Sequence, residues 1–122
     1  MKTLLVVDDE VGITEALNDL LSEEGFHVLV AGNGREALAR MAEQLPDLIL
    51  LDYMMPVMDG RELLNALQGD AAHRDIPVLM MSAMPRSSLP LDCQPVAFLR
   101  KPFTIDRLLA EVHRLLGGSA KP

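Results

Sequence analysis

The sequence predicts an α/β fold: one doubly wound sheet of five parallel strands, with helices on both faces. Three observations predict it. Short apolar runs alternate with stretches whose apolar residues recur at helical spacing, the pattern of repeated strand–helix–strand units. The central run, LILL at Leu48–Leu51, is apolar without interruption, as strands buried on both faces are. That run ends on a lone acid, Asp52, and then on breakers, since Pro56 cannot continue a ladder and Asp59-Gly60 signals a turn. A buried strand thus surfaces on a carboxylate, at the edge where open α/β folds bind ligands.

The first strand-like run is Thr3–Val7. Ile13, Ala16, Leu17, Leu20 and Leu21 then keep one helical face apolar, and Gly25 marks the C-terminal stop. His27–Ala31 is the second strand. Ala37, Leu38, Met41 and Ala42 give a helix that ends before Pro46. Asp47–Leu51 is the third strand, and Leu63, Leu64 and Leu67 give a helix closed at Gly69. Pro77–Met81 and Val96–Leu99 are the last two strands. Ile105, Leu108, Leu109, Val112, Leu115 and Leu116 define the final helix, with Thr104 as its N-cap and Gly117-Gly118 beyond it. Right-handed crossovers then bring the carboxyl ends of all the strands to one edge. The domain runs over residues 1–117, and 118–122 read as a short tail or the start of a linker.

One connection breaks the rhythm. After Met81 the chain reads SAMPRSSLPLDCQP, with prolines at 85, 90 and 95. A proline inside a helix costs roughly 3 kcal/mol and disfavours helix in the residue before it. At most about one turn fits between Pro85 and Pro90, so the helix expected between the fourth and fifth strands is stunted or replaced by loop.

Composition narrows the function. A chain of 122 residues suits a single domain, and a hydrophobic content of 49% permits a sizeable core. With aromatics at 3%, Leu, Val, Ile and Met must fill it. A net charge of −7, with 11 scattered basic residues, argues against unaided binding to nucleic acid, which depends on neutralising phosphates. No apolar run approaches the roughly 20 residues of a membrane span. The lone Cys93 excludes an internal disulfide and suits a reducing cytoplasm.

The strand ends carry the chemistry. The first run ends on Asp8-Asp9, the third on Asp52, the fourth on Ser82 and the fifth on Lys101-Pro102. Each alone has a bland reading. Adjacent acids make a solvated turn, a strand-end serine is a turn former, and most lysines lie on the surface. Convergence changes the weighting. Two like charges about 4 Å apart repel by roughly 4 kcal/mol at an effective dielectric near 20, so clustered carboxylates imply a bridging cation or a shared proton. Mg²⁺ suits an open carboxylate site that also takes a phosphate oxygen. Lys101 offers a mobile positive charge, Ser82 a hydroxyl donor and Asp52 a nucleophilic carboxylate, a set fitted to phosphoryl transfer. Met54 and Met55 read as gap fillers beside the site, since no soft metal partner accompanies them, and Met80 and Met81 as core. Asp59 and Gly60 shape the loop and start the third helix. His27, His73 and His113 lack ligand spacing and read as surface or interface residues, and Cys93 as inert.

VVDDE, LLDYMMPVMDG, MMSA and FLRKPF, in this order and spacing, resemble the receiver domain of two-component response regulators over essentially the whole chain. The resemblance implies a flavodoxin-like sheet of order 2-1-3-4-5. It makes Asp52 the phosphoacceptor, Asp9 a direct Mg²⁺ ligand and Asp8 a second acid acting mostly through water, with the Met54 backbone carbonyl completing the metal site. Ser82 then matches the hydroxyl that swings toward the phosphoryl group, Lys101 the site lysine, and Phe98 the switch aromatic that turns inward with it. It further implies a sensor histidine kinase or histidine phosphotransfer protein upstream and a downstream protein or output domain. It implies cytoplasmic signalling without separate substrate turnover, and leaves room for a homodimer. Two departures stand out. The stretch from Ser82 to Lys101 is shorter than usual for the family and rich in proline, and Phe98 lacks the hydroxyl many relatives carry. Two other readings stay open. One is a degenerate receiver acting by phosphorylation-independent protein contact. The other is a Mg²⁺-dependent phosphatase, although its Asp-x-Asp motif after the first strand is replaced here by adjacent acids.

Overall fold

Residues 1–117 are described by the computed structural model. In chain order the elements are β1 (Thr3–Val7), α1 (Val11–Glu23), β2 (His27–Ala31), α2 (Gly34–Glu43), β3 (Leu48–Asp52), α3 (Gly60–Gln68), β4 (Val78–Ser82), β5 (Ala97–Arg100) and α4 (Ile105–Leu115). The strands form one parallel sheet in the order β2-β1-β3-β4-β5, the flavodoxin-like order expected. The expected bounds of β1 and β2 hold, while β3, β4 and β5 each begin and end one residue later. Asp52 and Ser82 are therefore the last residues of buried strands rather than the first residues of loops. The expected tail at 118–122 lies outside the described residues.

The sheet divides the interior into two cores because side chains alternate along each strand. Leu5, Val7, Ile49, Leu51 and Met80 point toward α2 and α3. Leu4, Val6, Leu50, Leu79 and Met81 point toward α1 and α4. β1, β3 and β4 are buried along their whole length, and each leucine so buried contributes about 1.5–3 kcal/mol. Each helix covers the sheet with an apolar stripe, yet the stripes are narrower than their sequences suggest. Ala16, Ala42 and Ile105 are exposed, because the residues at i and i+4 already span the contact.

Side-chain caps fix where three helices begin. Asn33 Oδ1 accepts from the Glu36 backbone N–H at 3.0 Å, and Thr104 Oγ1 from that of Arg107 at 3.1 Å. Asp59 and Glu62 form a reciprocal box, with Asp59 Oδ1 accepting from Glu62 N at 2.9 Å and Glu62 Oε1 from Asp59 N at 3.1 Å. Gly25, with φ of 95°, ends the turn after α1.

The connection between β4 and β5 contains one 3₁₀ turn, Arg86–Ser88, and no α-helix, as the prolines require. It covers the sheet as a strap. Leu89 and Cys93 are buried in the α2–α3 core, and Cys93 Sγ lies 3.8 Å from Met80 Sδ. Arg86 Nη2 donates to the Pro95 carbonyl at 2.6 Å. Asp92 takes a two-pronged grip from Arg61 on α3, through Nε at 3.0 Å and Nη2 at 2.7 Å. Burial pushes the Cys93 thiol above its ordinary pKa and disfavours the reactive thiolate, in keeping with an inert role.

Candidate functional site: an acidic pocket at the carboxyl edge of the sheet

Parallel pairing sets the site. Val7 is in register with Leu51, Asp52 with Met81, and Ser82 with Arg100. The residues at or just past these strand ends therefore converge, and Asp8, Asp9, Asp52, Ser82 and Lys101 meet as the sequence predicts. One oxygen from each of Asp8, Asp9 and Asp52 lies within 4.8 Å of the others. Lys101 Nζ sits 3.0 Å from Asp52 Oδ1 and 3.4 Å from Asp8 Oδ2. A cavity of about 390 Å³ opens over them, lined by Asp9, Glu10, Asp52, Met54, Ser82 and Lys101 together with Ala83.

The three acids sit differently. Asp8 is buried, its Oδ1 accepting from the Glu10 backbone N–H at 2.9 Å and its Oδ2 facing Lys101. Asp52 is buried at the end of β3, and Asp9 is exposed. Burial pushes the Asp52 carboxyl above its ordinary pKa, Lys101 pulls it back, and Asp8 and Asp9 push it up again; the rise wins. Burial alone would lower the Lys101 ammonium, but its hydrogen bond and charge contacts with Asp52 and Asp8 outweigh that and raise it. Three carboxylates facing one ammonium leave an excess of negative charge, and an all-oxygen donor set open on one side fits a hard divalent cation that keeps some of its waters.

The loop after Asp52 is built tightly. Tyr53 N donates to Met81 O at 2.9 Å, and Gly60 N to Tyr53 O at 2.9 Å. A Cβ on Gly60 would lie 2.7 Å from the Asp52 carbonyl oxygen and 2.8 Å from Tyr53 Cα, so α3 can start here only on a glycine. Ser82 Oγ accepts from the Met84 N–H at 3.1 Å, which leaves its own proton free to donate elsewhere.

Residues 4–113 match the family model of the response regulator receiver domain. The chain belongs to that family. Response regulator MprA of Mycolicibacterium vanbaalenii is 39% identical over 116 residues, covering 93% of this chain and 49% of that protein. The transcriptional regulatory protein CpxR homolog of Haemophilus influenzae is 38% identical over 125 residues, covering 100% of this chain and 53% of that protein. The chain thus spans about half the length of the curated relatives it matches. Among solved structures, the signal receiver domain of a signal transduction histidine kinase from Syntrophus aciditrophicus superposes with a TM-score of 0.88 at 34% identity, over 100% of this chain and 95% of that one. Chemotaxis protein CheY4 of Vibrio cholerae superposes with a TM-score of 0.88 at 30% identity, over 94% and 98%. Receiver domains are modules of two-component signalling rather than substrate-turnover enzymes. Among the described residues no helix is long and apolar enough to cross a membrane.

Within this receiver domain one expectation needs revision, that for Met54, and one residue, Glu10, is added; Phe98 packs as a core-side residue. Met54 is not a gap filler: its residue is 66% exposed at the cavity rim, whereas Met55 packs on the core. The reason is the path of the loop, which turns Met54 outward once the strand has ended. Phe98 lies outside the cavity, half-buried on β5 beside Met80 in the α2–α3 core. Glu10 lines the cavity although the sequence reading passed over it; its place directly after Asp8-Asp9 was the available signal. Met80 and Met81 are core as expected, and Asp59 and Gly60 do start α3. His27 and His113 are exposed, and His73 pairs with Asp70 at 3.3 Å.

Proposed function

We propose that this receiver domain accepts a phosphoryl group on Asp52 from a histidine kinase or histidine phosphotransfer protein, in a Mg²⁺-dependent step. The observation that carries the reading is the ammonium of Lys101 held between Asp52 and Asp8, 3.0 Å from the Asp52 oxygen, inside a trio of converging carboxylates. Asp52 Oδ attacks phosphorus, the P–N bond to the donor imidazole breaks, and the imidazole leaves with the electron pair. Asp8, Asp9 and Asp52, with the Met54 carbonyl, would hold the ion. Mg²⁺, when bound, supplies charge neutralisation for the acids and the transferring oxygens. Lys101 turns from the Asp52 carboxylate to a phosphoryl oxygen, and Ser82 donates its free proton to another.

These new charge-assisted contacts stabilise a second conformation of the domain. Moving such a balance from 1:99 to 99:1 takes about 5.5 kcal/mol of differential stabilisation. In this reading Phe98, which pairs with Met80 one strand from Ser82, answers a shift of that hydroxyl. The change is read by a downstream protein or output domain, and the buried free thiol of Cys93 suits action in the cytoplasm. The test is transfer from a phosphorylated histidine donor protein. Wild type takes up label with Mg²⁺ and loses uptake in chelator, while Asp52→Asn stays unlabelled under both conditions. An Asp52→Asn variant labelled as fast as wild type would refute the assignment.

A further inference from the structure

Val57 sits at the tip of the loop between β3 and α3 with φ of 68°, the only non-glycine residue at positive φ among those described. A β-branched side chain is a poor occupant of this left-handed region. Burial does not offset the strain, because Val57 is 70% exposed. The conformation is imposed by its neighbours. Met58 N closes back on the Pro56 carbonyl at 2.7 Å across Val57, and the ring of Pro56 holds that residue's own φ fixed. Gly34, at the start of α2, donates its N–H to the Met58 carbonyl at 3.0 Å. A Cβ on Gly34 would meet Met58 Cγ at 2.5 Å, Sδ at 2.7 Å and Cβ at 2.9 Å, so only glycine lets α2 approach this closely. The loop is thus pinned at Tyr53 and Gly60 near the acids and at Met58 on the far side, with Met54 on the cavity rim between the pins.

We infer that Gly34 and Val57 are positioning residues for the acidic pocket: the clamp on Met58 and the narrow well of a left-handed valine stiffen the loop that carries Met54. Stability is sacrificed at Val57 for a preorganised ion site. The inference rests on the reading that the acids and the Met54 carbonyl hold Mg²⁺.

The test is Mg²⁺ titration of the full chain, read by calorimetry and by the fluorescence of Tyr53, the sole tyrosine in a chain without tryptophan. Melting in chelator is measured alongside. Val57→Gly opens the well, so it melts no lower than wild type yet binds Mg²⁺ about tenfold more weakly, the low end for residues that support metal ligands. Val57→Ala keeps a Cβ, and with it the narrow well, and holds affinity near wild type. Gly34→Ala displaces Met58 and lowers both melting temperature and affinity. No partner is present, so a docking role for the valine side chain would leave the affinities unchanged. A Val57→Gly variant that binds as tightly as a binding-competent wild type overturns the inference alone. A wild type that takes up no Mg²⁺ at millimolar concentration overturns it together with the reading beneath it.

Discussion

Two connections on one side of the sheet run without α-helix, and they are held by different means. The loop from Tyr53 to Asp59 packs Tyr53, Met55 and Met58 on the core and is tied to its surroundings by backbone groups: Tyr53 N on Met81 O, Gly60 N on Tyr53 O and Gly34 N on Met58 O. The strap from Pro85 to Pro95 keeps its backbone bonds within itself and is tied to the domain by side chains: Leu89 and Cys93 in the core and Asp92 gripped by Arg61, with Arg86 bracing the Pro95 carbonyl. The difference teaches where geometry matters. Backbone pins tie the chain directly beside the acids, whereas the strap needs only to cover apolar surface that a helix would otherwise cover. Changes to the strap should therefore alter stability and spare ion binding, and changes to the loop should alter both.

The largest effect that can break this contrast is Leu89→Ala. Emptying its site in the core should cost about 2–3 kcal/mol in urea denaturation, while Mg²⁺ affinity stays within about twofold. A matching collapse of affinity would show that the strap also shapes the pocket. Gly60→Ala comes next. Its Cβ would press on the Asp52 carbonyl, costing about 1–3 kcal/mol and, unlike Leu89→Ala, weakening Mg²⁺ binding in the same titration.

Asp52→Asn sharpens the electrostatic half of the contrast. The folded Asp52 carboxyl has a raised pKa, caused first by burial. Its contribution to stability is then fully present below the unfolded pKa and is lost as pH rises through the folded one. In chelator at neutral pH the asparagine variant should melt above wild type, with the gap closing as pH falls through the folded carboxyl's pKa. Saturating Mg²⁺ should reverse the order by stabilising wild type more. A variant less stable than wild type in chelator would contradict the excess negative charge. The smallest effect is Arg61→Ala, because the pair with Asp92 is exposed on both sides. It should leave the denaturation midpoint almost unmoved while raising protease cleavage within 86–95; unchanged cleavage would deny the grip any role in holding the strap.

Much of this was legible in the sequence because the signals were local. The uninterrupted Leu48–Leu51 run, the Thr104 cap and the prolines at 85, 90 and 95 each act on their own neighbourhood, and each gave the element observed. The pocket was legible for a related reason. Parallel register turns strand ends far apart in sequence into neighbours, so the pattern of strands alone gathers Asp8, Asp9, Asp52, Ser82 and Lys101. What stayed hidden depends on distant partners or runs against propensity. Arg61 and Asp92 are 31 residues apart and carry no mutual signal. Valine is among the last residues expected at positive φ, so Val57 gave no hint of its turn. The outward turn of Met54 depends on the path of the loop beyond β3, which no local signal fixes.

The central claim is that the clustered acids make Asp52 the phosphoryl acceptor. Borohydride trapping tests it most directly: the protein is treated with a small acyl phosphate and Mg²⁺, reduced, digested and mapped by mass spectrometry, since reduction of an aspartyl phosphate leaves homoserine in its place. The account predicts homoserine at position 52, appearing only when Mg²⁺ is supplied. Homoserine at another position, or at 52 in equal yield with the ion chelated, would contradict it.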